Sequence, residues 1–139
     1  MPDVQTFYNQ HAEAEWARLD RHRTEFAVTL RALREFLPPP PACILDVGGG
    51  PGRYAIALTL QGYRVTLVDF APPSLAFAQE KARHEGIALD QIIHANALDL
   101  SAIPVAKYES VLLMGPLYHL LTPAERWQAV QESRRTLRP

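Results

Sequence analysis

One stretch of the sequence joins an apolar run to a glycine-rich turn, and it limits the fold more than any other. Residues 44–54 read Ile-Leu-Asp-Val-Gly-Gly-Gly-Pro-Gly-Arg-Tyr, with glycines at the alternate positions 48, 50 and 52. A backbone without Cβ atoms can approach a ligand closely and adopt positive φ values. The helix expected after the turn directs its unpaired N–H groups to the same place. The pattern predicts a nucleotide-type cofactor site at the carboxyl end of a first parallel strand.

Segments typical of strands and helices alternate along the rest of the chain. The expected strands cover residues 42–47, 64–69, 91–95 and 110–114, and the expected helices cover 52–61, 74–84 and 123–137. The last helix has the clearest start, because Thr122, Pro123 and Glu125 provide an N-cap, a first-turn proline and a capping-box carboxylate. Strands that alternate with helices indicate an α/β fold with a parallel sheet and right-handed crossovers.

The N-terminal segment follows a different pattern from the rest. Its apolar residues recur at spacings of three, four and seven, which predicts one amphipathic helix over residues 3–37. Four prolines at 38–41 end this helix and form a stiff connector. We therefore divide the chain into an N-terminal helical cap (1–37), the proline connector and a cofactor-binding domain (42–139).

Composition narrows the classes of function. With 139 residues, 47% of them hydrophobic and 21% charged, the chain is typical of one globular domain. A formal net charge of −1 gives no electrostatic basis for binding nucleic acid or an anionic membrane. The single cysteine, Cys43, cannot form an intramolecular disulfide and is expected to be buried. No apolar run reaches the ~20 residues that span a bilayer and no secretory signal is visible, so we expect a cytoplasmic protein.

Asp69 supplies a charged side chain that could bind a ligand beside the glycine turn. It ends the second expected strand 21 positions after Gly48, close to the ~20-residue spacing of an acid that binds ribose hydroxyls. An ionised carboxylate can accept from both hydroxyls, and the alternative is a cap for the adjoining loop or helix. In the dinucleotide fingerprint a third glycine would stand at position 53, where this chain has Arg53. That departure disfavours an NAD(P)-dependent oxidoreductase.

Several segments in order resemble the class I S-adenosylmethionine-dependent methyltransferases. They are Asp46-Val47-Gly48-Gly49-Gly50-Pro51-Gly52, Val68-Asp69-Phe70, Ala95-Asn96-Ala97-Leu98-Asp99-Leu100, Leu113-Met114-Gly115-Pro116-Leu117-Tyr118-His119-Leu120 and Arg134-Arg135-Thr136-Leu137-Arg138-Pro139. The resemblance implies a doubly wound, Rossmann-like parallel sheet of strand order 3-2-1-4, with S-adenosylmethionine as cofactor. Asn96 departs from the family's usual Asp, but an amide can both accept from and donate to the adenine edge. Asp99 is then expected to be a turn residue.

The resemblance also assigns roles to individual residues. Those implied to bind the cofactor are Tyr8, Asp46, Gly48, Gly49, Gly50, Gly52, Asp69, Phe70, Asn96, Ala97 and Met114. Tyr8 belongs to a segment that resembles one folded over the cofactor in related enzymes, with surface packing as the alternative. Tyr118 and His119 are the catalytic candidates: His119 serves as a base for a protonated acceptor, or only shapes the pocket. No metal is expected, because the other histidines share no ligand spacing.

The end of the chain sets a further expectation. The resemblance implies a fifth strand after Leu137-Arg138-Pro139, where this sequence ends. We expect either an N-terminal piece of a longer methyltransferase or a naturally short chain that forms a homodimer through the edge of the fourth strand. Without a neighbouring strand, Val111, Leu112, Leu113 and Met114 are expected to lose their cover.

Three hypotheses of function follow from these residues. The first is methyl transfer from S-adenosylmethionine to a small-molecule acceptor. The second is a module that binds S-adenosylmethionine or S-adenosylhomocysteine without turnover, since the acceptor side is incomplete. The third, an NAD(P)-dependent oxidoreductase, is disfavoured by Arg53 and by the set of motifs.

Overall fold

The structure is built on one sheet of four parallel strands. The computed structural model describes residues 3–139, apart from the side chain of Tyr8. The strands are β1 (Cys43–Val47), β2 (Arg64–Asp69), β3 (Gln91–His94) and β4 (Ser110–Leu112), in the order β3-β2-β1-β4. Because all of them are parallel, their carboxyl ends meet at one edge of the sheet. This confirms the predicted Rossmann-like α/β sheet of order 3-2-1-4.

The N-terminal segment forms three helices, so the prediction of one helix over residues 3–37 is wrong. They are α1 (Val4–Gln10), α2 (Ala12–Arg21) and α3 (Arg23–Phe36). The breaks fall at His11 and His22, whose ψ angles of 23° and 58° leave the helical range. At the first break a ring nitrogen of His11 hydrogen-bonds the carbonyl oxygen of Phe7 at 2.6 Å, so a side chain enters the helical ladder. Apolar spacing does not register a break of one residue.

Three further helices follow the strands: α4 (Arg53–Leu60), α5 (Pro72–His84) and α6 (Pro123–Thr136). The capping box of α6 is confirmed, since the Thr122 hydroxyl accepts from the Glu125 amide and the Glu125 carboxylate accepts from the Thr122 amide, both at 3.1 Å. α5 begins at Pro72, because a first-turn residue does not need the amide hydrogen that proline lacks. No helix in residues 3–139 is long and apolar enough to cross a bilayer.

The two central strands are apolar because both of their faces are covered. All five residues of β1 and the last five of β2 are buried. On one face Ile44 and Leu67 pack with α4 and α5; on the other, Leu45 and Val68 pack with Tyr108. Cys43, as expected, is a buried free thiol. The core thus holds the carboxyl ends of β1 and β2 side by side.

β4 lies at the edge of the sheet, and the expected exposure of its side chains is wrong for Leu112. The strand ends two residues earlier than predicted. Leu112 is only 7% exposed, while Val111, Leu113 and Met114 are half-buried against the core. The reason is geometrical: strand side chains point to the two faces of a sheet, whereas a missing neighbour removes backbone partners.

Candidate cofactor-binding site

A cavity of about 860 Å³ opens at the carboxyl ends of the strands. The predicted site residues that line it are Asp46, Gly48, Gly49, Gly50, Asp69, Phe70, Asn96, Ala97, Met114, Tyr118 and His119. Gly52 does not line it, and the side chain of Tyr8 lies outside the described residues. The volume falls within the range of sites for small molecules. Residues far apart in the sequence therefore meet at one cavity.

The glycine turn is held on the end of β2 by its own amides. Gly48 and Gly49 donate to the carbonyl oxygen of Val68 at 2.7 and 3.2 Å, and Gly50 donates to Oδ2 of Asp69 at 2.8 Å. These three N–H groups point into the protein. A pyrophosphate cradle would instead present such groups to a ligand. The turn is therefore better suited to a cofactor without phosphate groups.

The glycines of the turn are required for different reasons. A Cβ on Gly48 would lie 2.3 Å from Cγ of Pro116, and one on Gly52 would lie 2.9 Å from Cβ of Ala78 in α5. Gly50 differs, since a Cβ there would meet nothing within 4 Å and would project from the cavity wall. Its φ of 57° also favours glycine. Gly50 is thus the position where the turn leaves room for a ligand, and a cofactor contact by Gly52 stays a prediction.

Asp69 connects the turn to the loop after β2. Its Oδ2 accepts from Gly50, and its Oδ1 accepts from the amide of Ala71 at 2.9 Å. The side chain is buried, and burial raises its pKa against the opposing effect of these hydrogen bonds. Both contacts are those of a loop cap. A carboxylate has about four acceptor positions, so two remain for ribose hydroxyls.

The carboxyl group of Asp46 is buried beneath the turn. It is 2% exposed, and Oδ2 has no hydrogen-bond partner among the described residues. Burial, together with the nearby Asp69 carboxylate, raises the pKa of Asp46 to about 7. A Cβ on Gly49 would lie 2.5 Å from this oxygen, so Gly49 leaves the space that the carboxyl occupies. An unpartnered buried oxygen marks a place for a donor from a ligand or water.

The loops after β3 and β4 complete the sheet side of the cavity. Oδ1 of Asn96 accepts from the amide of Leu98 at 2.9 Å, which fixes the loop after β3. Asp99 caps the same loop through the amide of Ser101, as expected of a turn residue. Tyr118 ends a short 3-10 turn after β4 and is 87% exposed, and His119 follows it at the mouth. The acceptor candidates therefore lie where a second reactant could enter.

The N-terminal helices, which were predicted to form a cap, supply a cavity wall whose residues the sequence analysis did not name. Arg18 and Glu25 line the cavity and form an ion pair of 2.9 Å, and Tyr54 of α4 lies beside them. Burial raises the pKa of the Tyr54 hydroxyl. Tyr54 could have been found from its place two residues after Gly52. Arg18 and Glu25 carry no such signal, since their position depends on how α2 and α3 pack.

The sheet side of the cavity belongs to a part of the chain that matches a known family. A family model described as a methyltransferase domain covers residues 44–139. The chain belongs to this family. The match includes β2, β3, β4 and all of β1 after Cys43, and it confirms the resemblance to the class I methyltransferases.

Individual relatives agree with the family. The ubiquinone biosynthesis O-methyltransferase of Xylella fastidiosa is 35% identical over 97 residues, 70% of this chain and 39% of that protein. The demethylmenaquinone methyltransferase of Thermus thermophilus is 35% identical over 112 residues, 69% of this chain and 50% of that protein. A solved SAM-dependent methyltransferase from Methanosarcina mazei is 26% identical with a TM-score of 0.69, over 78% of this chain and 52% of that one. This methyltransferase domain spans half or less of the length of the Xylella fastidiosa and Thermus thermophilus relatives.

The residues present fit S-adenosylmethionine, the predicted cofactor. It is a nucleoside without phosphate groups, which agrees with a turn whose glycine amides are used internally. The open space over Gly50 leaves room for this cofactor, and the unpartnered oxygen of Asp46 offers it a hydrogen-bond acceptor. Groups of three or more His, Cys, Asp or Glu that could hold a metal are absent from the described residues.

Proposed function

We propose that this methyltransferase domain binds S-adenosylmethionine in the cavity and transfers its methyl group to a small-molecule acceptor. One observation carries the proposal: the glycine turn, Asp69, the Asn96–Ala97 pair and Met114 follow four different strands and still line a single cavity. Family membership agrees with it. The alternative, a binding module without turnover, requires the same cavity but no productive acceptor side.

The residues of the sheet side would orient the cofactor. When bound, S-adenosylmethionine supplies an electrophilic methyl group on a sulfonium. Asp69 would accept from the ribose hydroxyls, and Phe70, Asn96 and Ala97 would flank the adenine. In a methyl displacement, the main contribution of the protein is to hold the two reactants in line.

We propose a hydroxyl group on a small aromatic ring as the acceptor. The printed name of the Xylella fastidiosa relative describes an O-methyltransferase of ubiquinone biosynthesis, so an oxygen is its acceptor atom. The printed name of the Thermus thermophilus relative gives demethylmenaquinone, another quinone, without naming the atom. The acceptor side of this cavity combines the half-buried Met114 with the aromatic ring of Tyr118 and the imidazole of His119. His119 would remove the hydroxyl proton, since a neutral imidazole is a base near pH 7.

Transfer of a tritiated methyl group from S-adenosylmethionine to a panel of phenols and catechols tests this function. We expect product, and we expect His119→Ala to reduce the rate about 10²- to 10⁴-fold, the range of general base catalysis. His84→Ala is the matched control, because His84 is exposed on α5 and does not line the cavity. Binding of S-adenosylhomocysteine without transfer to any acceptor would favour the non-catalytic module instead.

We propose three further features of the protein. The edge of β4 is a contact for a homodimer, because no strand among the described residues pairs with it on the side away from β1; the isolated pairing of Tyr108 with Leu137 precedes the strand. Light scattering at micromolar concentration would show twice the chain mass, and a monomer mass would contradict the dimer. A cytoplasmic location and the lack of a nucleic-acid partner stay predictions from composition.

A further inference from the structure

Arg53 joins the N-terminal helices to the glycine turn. Its guanidinium carbon lies 4.6 Å from the ring centre of Trp16 in α2 and 5.0 Å from that of Phe26 in α3. Its Nη2 also donates to Oδ1 of Asp20 in α2 at 2.6 Å. One side chain from α4 thus contacts two helices of the N-terminal segment through a charge and two aromatic faces.

The same residue belongs to the cofactor site. Arg53 is the first residue of α4, directly after Gly52, and it lines the cavity together with Gly50. Its side chain is only 20% exposed, whereas that of Asp20 is 58% exposed. Arg53 therefore lies between the ligand-facing turn and the wall that α2 and α3 contribute.

The contacts of Arg53 explain why the sequence departs from the dinucleotide fingerprint at position 53. A glycine at position 53 would permit close helix packing in a dinucleotide site. Here Gly52 supplies the close approach to Ala78 of α5. Position 53 is consequently free to carry a long cation, and that cation reaches across to the N-terminal helices.

We propose that Arg53 is a positioning residue that couples the packing of α2 and α3 over the cavity to occupancy of the cofactor site. The proposal rests on the function proposed above. Arg53 holds the wall containing Leu19 and Glu25 against the turn, so a ligand that touches both sides stabilises the contact. By linkage, loss of the Arg53 contacts weakens ligand binding by the same factor by which the bound ligand stabilises those contacts.

Trp16 offers a direct readout. In a Trp127→Phe background its emission reports the environment of the ring that Arg53 covers; Trp127 is exposed on α6 and does not line the cavity. We expect S-adenosylhomocysteine to change the emission. Arg53→Gln should abolish that change and raise the Kd about fivefold or more, the lower end of typical coupling between two sites. Arg53→Lys keeps the charge without the planar group, so its Kd should lie between those of Arg53→Gln and the protein with Arg53 intact.

Lys81→Gln is the matched control. Lys81 lies 5.5 Å from the same Trp16 ring, but it belongs to α5 and does not line the cavity. We expect it to alter Trp16 emission without altering the Kd. Equal weakening by Arg53→Gln and Lys81→Gln would overturn the coupling, because it would indicate general loosening of the N-terminal helices.

Titration of the Trp127→Phe protein with Arg53 intact separates two kinds of failure. If the Trp127→Phe protein gives no response and calorimetry shows no binding of S-adenosylhomocysteine, the proposed function fails. If it binds and Arg53→Gln binds equally well, only the coupling fails. Circular dichroism checks folding; should Arg53→Gln not fold, an unchanged Kd for Arg53→Lys would overturn the proposal, and a severalfold increase would support it.

Discussion

Asp46 is the residue whose acid–base chemistry departs most clearly from its ordinary behaviour. Its carboxyl is buried, has one unpartnered oxygen and has a pKa raised to about 7. In the unfolded chain the same group titrates near pH 3.9. The folded state therefore binds the proton more tightly, and the free energy of unfolding decreases as the pH rises from about 4 to about 7.

Asp46→Asn should remove this pH dependence. We expect the wild type to lose stability relative to the variant between pH 4 and pH 8, by on the order of 4 kcal/mol. Urea unfolding of both proteins across that range measures the difference. Parallel pH profiles would show that Asp46 does not titrate there.

Substitutions at Gly50 and Gly86 can separate two effects of an added side chain, the loss of room for a ligand and the strain on the backbone. Both have positive φ, 57° and 70°, and a Cβ on either would meet nothing within 4 Å. Only Gly50 lines the cavity. We expect Gly50→Ala and Gly86→Ala to destabilise the fold similarly, by about 1 kcal/mol. Only Gly50→Ala should weaken the binding of S-adenosylhomocysteine, at least tenfold by calorimetry. Equal affinities would contradict the role of Gly50 in leaving room for the ligand.

At the level of elements, the strands and the α6 start were predictable, whereas the N-terminal helices were not. Strands β1 and β2 are apolar because both faces are covered, and the Thr122–Glu125 box is a local signal. The breaks at His11 and His22 arise from single backbone positions within a continuous apolar pattern. Periodicity reports which side of a helix is apolar and carries no information about such a break.

The α6 capping box gives an element-scale prediction. Thr122→Ala removes the acceptor for the Glu125 amide and should cost about 1 kcal/mol of unfolding free energy. Thr24→Ala is the control, since Thr24 is exposed within α3 and alanine favours a helix. Thermal unfolding compares the two. Equal melting temperatures would mean that the box contributes nothing to stability.

For the whole molecule, the sheet side of the site could be predicted and the opposite wall could not. Strand order brings Asp69, Asn96 and Met114 together, and each follows a recognisable strand. Arg18 and Glu25 reach the cavity only because α2 and α3 pack over it. That packing depends on contacts such as those of Arg53, which join residues more than 25 positions apart. Local sequence patterns do not report such distant contacts.

Calorimetric titration with S-adenosylhomocysteine, with NADH as comparator, tests the central claim most directly. We expect heat of binding with one site per chain for S-adenosylhomocysteine and none for NADH. Asp69→Ala should weaken binding by about 1.5–3 kcal/mol, or roughly 10- to 150-fold, the value of a lost hydrogen bond to a charged group. Absence of heat with S-adenosylhomocysteine, or unchanged affinity in Asp69→Ala, would contradict the assignment of this cavity.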